Sequence, residues 1–213
     1  MVHQLMKWQK VAARAFSSLI IMVSGCATPA APAIPLATVD LTRMYGDWYI
    51  VATIPNVLER GMVEPHDVFS PMAQGMIRED FYMRRGSFSA RQQHFVTTIR
   101  IAPRPGNGDW RVQLFWPLRI PWQIFYADAD YRYVLFGEQN RYWAWIYSRT
   151  PDISDVDYQG LLERFARLGY DSRRLQRIVQ AEEQINQAGF WSEAIKARPL
   201  RGSSSERRTI RQR

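Results

Sequence analysis

Residues 44–55 read MYGDWYIVATIP. Tyr49, Ile50, Val51 and Thr53 are aromatic or β-branched, the residue types that favour an extended chain, and they mark a β-strand over residues 47–54. The strand opens on Gly46-Asp47-Trp48 and so carries a large indole at its start. Why a strand should begin in this way is answered by the rest of the chain.

Downstream, short alternating runs follow one another. Ile77, Phe81 and Met83 alternate with Arg78, Asp80, Tyr82 and Arg84, and Arg85-Gly86-Ser87 stops the run. Phe95, Thr97, Ile99 and Ile101 alternate with His94, Thr98 and Arg100 up to the Pro103–Gly108 turn. Trp110, Val112, Leu114 and Trp116 form the next set, and strands are expected at 122–127, 131–138 and 142–148. The link Gln139-Asn140-Arg141 predicts a tight hairpin. Residues 59–74, which contain Pro65 and Pro71, predict an edge or bulged strand, since proline cannot donate to a ladder. Period-two alternation at this spacing indicates an antiparallel sandwich or barrel.

After Pro151 the period lengthens. Val156, Leu161, Leu162, Phe165 and Leu168 fall at helical spacing, with Ser154 as N-cap, Asp155 and Asp157 in the first turn, and Gly169 at the terminus. A last short strand is expected at 175–179 and a second helix from Ala181, ahead of a disordered Arg-rich tail within 183–213.

The 213-residue chain is 46% hydrophobic and 13% aromatic, with 8 Trp. That suits one domain with a large core, and flat apolar surface in such quantity suits an aromatic-lined cavity. The formal net charge of +8 does not make the folded part basic. The excess sits before residue 26 and after residue 195, and the stretch between is close to neutral, which argues against specific nucleic-acid binding. Residues 1–25 run from Lys7, Lys10 and Arg14 through AFSSLIIMV to Ser24-Gly25, the order of a secretory signal. Cys26 is the only cysteine, so no internal disulfide forms. The Ala/Pro-rich residues 26–39 read as an extended tether.

VSGC at 23–26 resembles the lipobox of bacterial lipoproteins, which implies that Cys26 is the lipid-attachment residue. Ala27 in place of aspartate points to the outer membrane, facing the periplasm. Three further signatures resemble the lipocalins: Gly46-Asp47-Trp48 at the first strand, Asp128-Ala129-Asp130-Tyr131 between the sixth and seventh, and Trp145–Pro151 with Arg149 at the end of the last. LERG at 58–61 and SRTPDIS at 148–154 resemble the bacterial outer-membrane lipoprotein branch of that family. The resemblance implies an all-β, eight-stranded up-and-down barrel over residues 40–182 with a C-terminal helix outside. It also implies that Trp48 plugs the base under Arg149, and that a fatty acid or lysophospholipid fills the barrel.

Counting parity from these motifs places Ile50, Ala52, Val112, Leu114, Trp122, Ile124, Tyr126, Leu135, Trp143 and Trp145 toward the cavity. Gly46, Trp48, Asp128, Asp130, Tyr131 and Arg149 are expected to be structural. No phosphate loop, His-Glu-x-x-His or Cys-x-x-Cys is present, and His66 and His94 stand 28 residues apart. No enzyme, metal or cofactor is therefore expected, and the chain is read as a monomer or dimer whose partners are the lipid ligand and, through its anchor, the membrane. The rival reading is an interaction module with a filled barrel, its basic tail binding anionic membrane or a protein partner.

Overall fold

The computed structural model describes residues 32–115 and 117–197. The proposed signal, Cys26 and the Arg-rich end lie outside these residues. A four-residue helix, α1 (Leu41–Met44), leads into β1 (Gly46–Thr53). There follow β2 (Met62–Pro71), β3 (Met76–Arg85), β4 (Gln93–Ile101), β5 (Asp109–Phe115), β6 (Leu118–Ala127), β7 (Tyr133–Gly137) and β8 (Ala144–Ser148). Each pairs antiparallel with the next, and β8 returns to pair with β1, so the eight strands close an up-and-down barrel. Closure satisfies the strand edges that an open sheet would leave unpaired.

Helix α2 (Asp155–Arg167) follows the barrel. Its N-cap is Ser154, whose Oγ accepts from the Asp157 N–H at 3.0 Å, and Gly169 leaves the helix at φ +84°. Tyr158, Leu161 and Phe165 on α2 join Val51, Phe125, Tyr133, Leu135 and Ile146 in an apolar cluster on the outer face of the barrel. The expected last strand is β9 (Gln176–Ile178). Beyond Ala181 the chain makes a single 3-10 turn, Glu182–Gln184, in place of the expected second helix. It then forms β10 (Phe190–Trp191), which pairs parallel with β9.

The strand β1 changes neighbours along its length. Gly46–Tyr49 pair with β2, whereas Ala52 and Thr53 pair with β9. The β2 ladder shifts between Val63 and His66, where Glu64 takes φ +52° and Pro65 contributes no N–H. The ten-residue β2 is thus a bulged strand, as two prolines require. Gln180 spans the resulting gap, its Nε2 donating to the carbonyls of Ile50 (2.9 Å) and Pro65 (3.2 Å).

Strand direction defines the two ends. The start of β1, the β2–β3, β4–β5 and β6–β7 connections and α1 share one end; the β1–β2, β3–β4, β5–β6 and β7–β8 connections share the other. The first end is sealed. Trp48 is fully buried, and its Nε1 donates to the Met44 carbonyl at 2.8 Å. The Arg149 guanidinium lies 3.8 Å from the indole centroid and donates to the carbonyls of Asp47, Arg43 and Tyr45. Gly46 takes φ +91°, a backbone conformation that side-chain-bearing residues rarely adopt, and so lets the chain turn into β1 beside Arg149. Asp128 holds the adjoining turn, accepting from the N–H groups of Arg132 (2.5 Å) and Tyr133 (2.8 Å). The Tyr131 hydroxyl accepts from the Asp40 N–H at 2.7 Å, while Asp130 is exposed.

Candidate ligand-binding site

Large aromatic side chains fill the lower barrel. Phe69 meets Trp110 edge-on at 5.4 Å, Trp122 stacks on Phe136 at 4.6 Å, and Phe136 meets Tyr147 at 4.7 Å. Above them the interior is open as a chamber of about 400 Å³, inside the roughly 300–1,000 Å³ range of small-molecule sites. Ile50, Met62, Met83, Phe81, Val112, Ile120 and Trp122 form most of its wall. Leu58, from the β1–β2 connection, and Phe95, on β4, line its mouth and are 65% and 46% exposed. An apolar wall with an exposed apolar rim favours a hydrophobic occupant, at about 0.8 kcal/mol for each methylene buried.

The polar groups of the chamber are few and mostly acidic. Asp67 on β2 and Glu79 on β3 are 1% and 7% exposed. They stand on diagonal positions of the β2–β3 ladder, since Asp67 faces Phe81 and Phe69 faces Glu79. Asp67 pairs with neither a lysine nor an arginine; its Oδ2 accepts from the Tyr147 hydroxyl at 2.7 Å. Glu79 accepts from the Thr97 hydroxyl. Burial, which disfavours the charged form, pushes Glu79 up from 4.5 to about 7. Asp67 is pushed well above the usual range, by burial first and by the Glu79 charge second. Nearer the mouth, burial also raises Glu59. Its carboxylate accepts from Trp145 Nε1 (2.7 Å), Thr53 Oγ1 (2.8 Å) and Asn56 Nδ2 (2.7 Å), which pins the β1–β2 connection to the barrel. Arg85 is the one basic residue in the lining, and it donates to the carbonyls of Arg60 and Leu58 on the rim.

Of the residues expected inward, Ile50, Val112, Trp122 and Trp145 line the chamber. Ile124 is buried beneath it in the interior cluster, and Trp143 stands in the β7–β8 connection, its ring 6.1 Å from that of Trp145. The Leu114 side chain is outside what the structure describes. Three expectations are corrected. Ala52 points to the helix side, because β1 carries an extra residue between Ile50, opposite Tyr147, and Ala52, opposite Ile146. Tyr126 is turned outward by the same device in β6, and Arg164 of α2 stacks on its ring at 3.9 Å. Each bulge reverses which face the following residues occupy.

Leu135 is also on the outer face. A tight hairpin at 139–141 would set it opposite Trp145, but β7 and β8 are joined by the longer connection 138–143, so Phe136 faces Trp145 and Leu135 faces Ile146. Gly137 shares the outer face with Leu135, packed beneath the Tyr170 hydroxyl. Asp67, Glu79 and Tyr147 also face the chamber and are not among the residues expected inward. Glu79 shares parity with Ile77 and Phe81, and Tyr147 with Trp145, which is the signal by which both were detectable.

Outside the barrel, His66 and His94 flank Tyr82 in a stack, at 5.0 and 4.4 Å, and His94 Nε2 lies 2.8 Å from Asp80. No group of three or more metal-ligating side chains occurs among the described residues, and no described helix is long and apolar enough to cross a membrane.

A closed antiparallel barrel with a sealed base, an open apolar chamber and an external helix has the form of a small-ligand-binding barrel. Residues 39–180 match the model of the lipocalin-like domain, and the chain belongs to that family, as a binder of small hydrophobic ligands and not an enzyme. It is 25% identical over 169 residues to outer membrane lipoprotein Blc of Escherichia coli (strain K12), covering 78% of this chain and 93% of that protein. It is 23% identical over 153 residues to temperature-induced lipocalin-1 of Arabidopsis thaliana, covering 67% and 80%. Insecticyanin from the tobacco hornworm Manduca sexta shares the fold, with a TM-score of 0.57 at 13% identity over 77% of this chain and 95% of that one.

Proposed function

We propose that this protein reversibly holds one elongated, hydrophobic, single-chain lipid, a fatty acid or a lysophospholipid, in the upper barrel while a lipid anchor at Cys26 keeps it at the outer membrane, facing the periplasm. The observation that carries the reading is the apolar chamber above a sealed aromatic floor. The hydrocarbon enters between Leu58 and Phe95, and a carboxylate or phosphate head remains at the mouth, where Arg85 is the basic group of the lining. The relatives named outer membrane lipoprotein support the address, and VSGC supports the attachment point.

Two experiments test this. Titration of the purified protein with a fluorescent fatty-acid analogue should saturate at one site, and unlabelled fatty acid or lysophospholipid should displace the probe. Absence of saturable binding would refute the carrier reading. Expression of Cys26→Ser should release the protein from the membrane fraction, and unchanged membrane residence would refute the anchor.

A further inference from the structure

We propose that the chamber floor is a cation site, in which the carboxyls of Asp67 and Glu79 take the protonated amine of a single-chain amphiphile whose hydrocarbon runs up the wall to the mouth. This rests on the reading of the chamber as a binder of single hydrocarbon chains and adds a second class of ligand, held the other way round from a fatty acid or lysophospholipid. A carrier for purely apolar cargo needs no acid beneath its chamber, because each buried carboxyl opposes folding unless it is compensated. Here two lie together, on adjacent strands, at the level of the Trp48 plug. With both carboxyls ionised their compensation is incomplete: Asp67 Oδ1 is then the one buried side-chain polar atom among the described residues with no hydrogen-bond partner, and it is satisfied only if a proton or another cation joins it to Glu79.

The surroundings choose the sign of the missing group. From β8 the floor receives the Tyr147 hydroxyl, and from β4 the Thr97 hydroxyl. Glu59 above and Asp80 outside add negative charge, and Arg85 is engaged by rim carbonyls. Three carboxyls thus line a chamber whose single guanidinium is at the exit. A proton shared by the pair lowers the cost of burying both acids. An ammonium delivers the same positive charge with up to three N–H donors and displaces that proton to solvent. A carboxylate head cannot descend to this floor without meeting charge of its own sign.

With Glu79 raised to about 7, proton competition weakens amine binding as the solution falls below that pH, while an alkyl ammonium itself remains protonated throughout. The walls meanwhile accept any chain of suitable length, so head-group preference is separable from chain binding.

The test is displacement of the neutral probe N-phenyl-1-naphthylamine from the purified protein by dodecylamine, dodecanol and dodecanoate, at about pH 8 and again near pH 5.5. Dodecylamine is expected to displace at about tenfold lower concentration than dodecanol at the higher pH, the scale of a hydrogen bond to a charged group, while dodecanoate, whose head stays at the mouth, gains nothing from the floor acids. The amine preference should shrink at the lower pH. It should also collapse in Glu79→Gln and in Asp67→Asn, each checked by circular dichroism, with dodecanol unaffected. Equal displacement by amine and alcohol in the parent protein, or a preference that survives in both folded variants, overturns the cation site while leaving a chamber that binds chains. Failure of the probe itself to bind saturably overturns the underlying reading, and the cation site with it.

Discussion

Glu79 shows how a single side chain can set a property of the whole. Its carboxyl is held at about 7 in the fold against 4.5 ordinarily, so the folded chain keeps a proton that the unfolded chain releases. The sign follows from linkage: the contribution to stability is full below pH 4.5 and is lost as pH rises through about 7. Asp67 acts in the same direction. Thermal unfolding should therefore show a midpoint that falls between about pH 5 and 8, and Glu79→Gln should flatten that slope and be the more stable protein at the alkaline end. A parent midpoint that rises over this interval would show that the carboxyls are not buried as described. Arg149 illustrates the opposite case, a charge made welcome by its partners. It covers one indole face and ties three carbonyls of residues 43–47, so the motif residues serve the base of the barrel and leave the choice of ligand to others.

Among the elements, the strands were legible and their faces only partly so. Alternation around Phe81, Ile99 and Val112 marks the strands because each has one face in the barrel and one in solvent. The β7 strand lacks that contrast: all five of its residues are buried, with the interior on one side and α2 on the other. No polar residue then reports which side is which, and a one-residue error at the 138–143 connection transfers Leu135 and Phe136 between faces. Bulges are equally silent in sequence, which is why Ala52 and Tyr126 were misplaced. Helix α2 was legible because its signals are local: Ser154, two acidic residues and Gly169. Ser154→Ala should cost about 1 kcal/mol of stability through the lost cap. Since α2 lies outside the barrel, a denaturant titration should detect that loss while probe affinity stays unchanged; a matching loss of affinity would show that the helix reaches the chamber.

The whole molecule divides its interior between two tasks. Indoles, phenylalanines and a stacked arginine close the lower half, and the upper half is left open within an apolar wall. That division reconciles the two sequence expectations, a cavity and a barrel filled with aromatics, because each holds for one half. Overall architecture and the sealed base were readable because the Gly-x-Trp, turn and arginine signatures belong to contacts that the closed barrel depends on. Ligand-facing identity was less readable. The wall is assembled from strands far apart in sequence, and its acids resemble ordinary surface residues until β2 and β3 place them inward.

Filling the upper chamber decides whether it is where the ligand binds. Ile120 lines it from a partly exposed position opposite Val112, so Ile120→Trp adds volume where the site is open rather than in the packed floor. If the chamber is the binding site, the folded variant should bind the fluorescent fatty-acid analogue at least about tenfold more weakly, with the far-ultraviolet spectrum preserved, since overpacking opposes entry. Undiminished affinity in a folded Ile120→Trp protein would contradict the account.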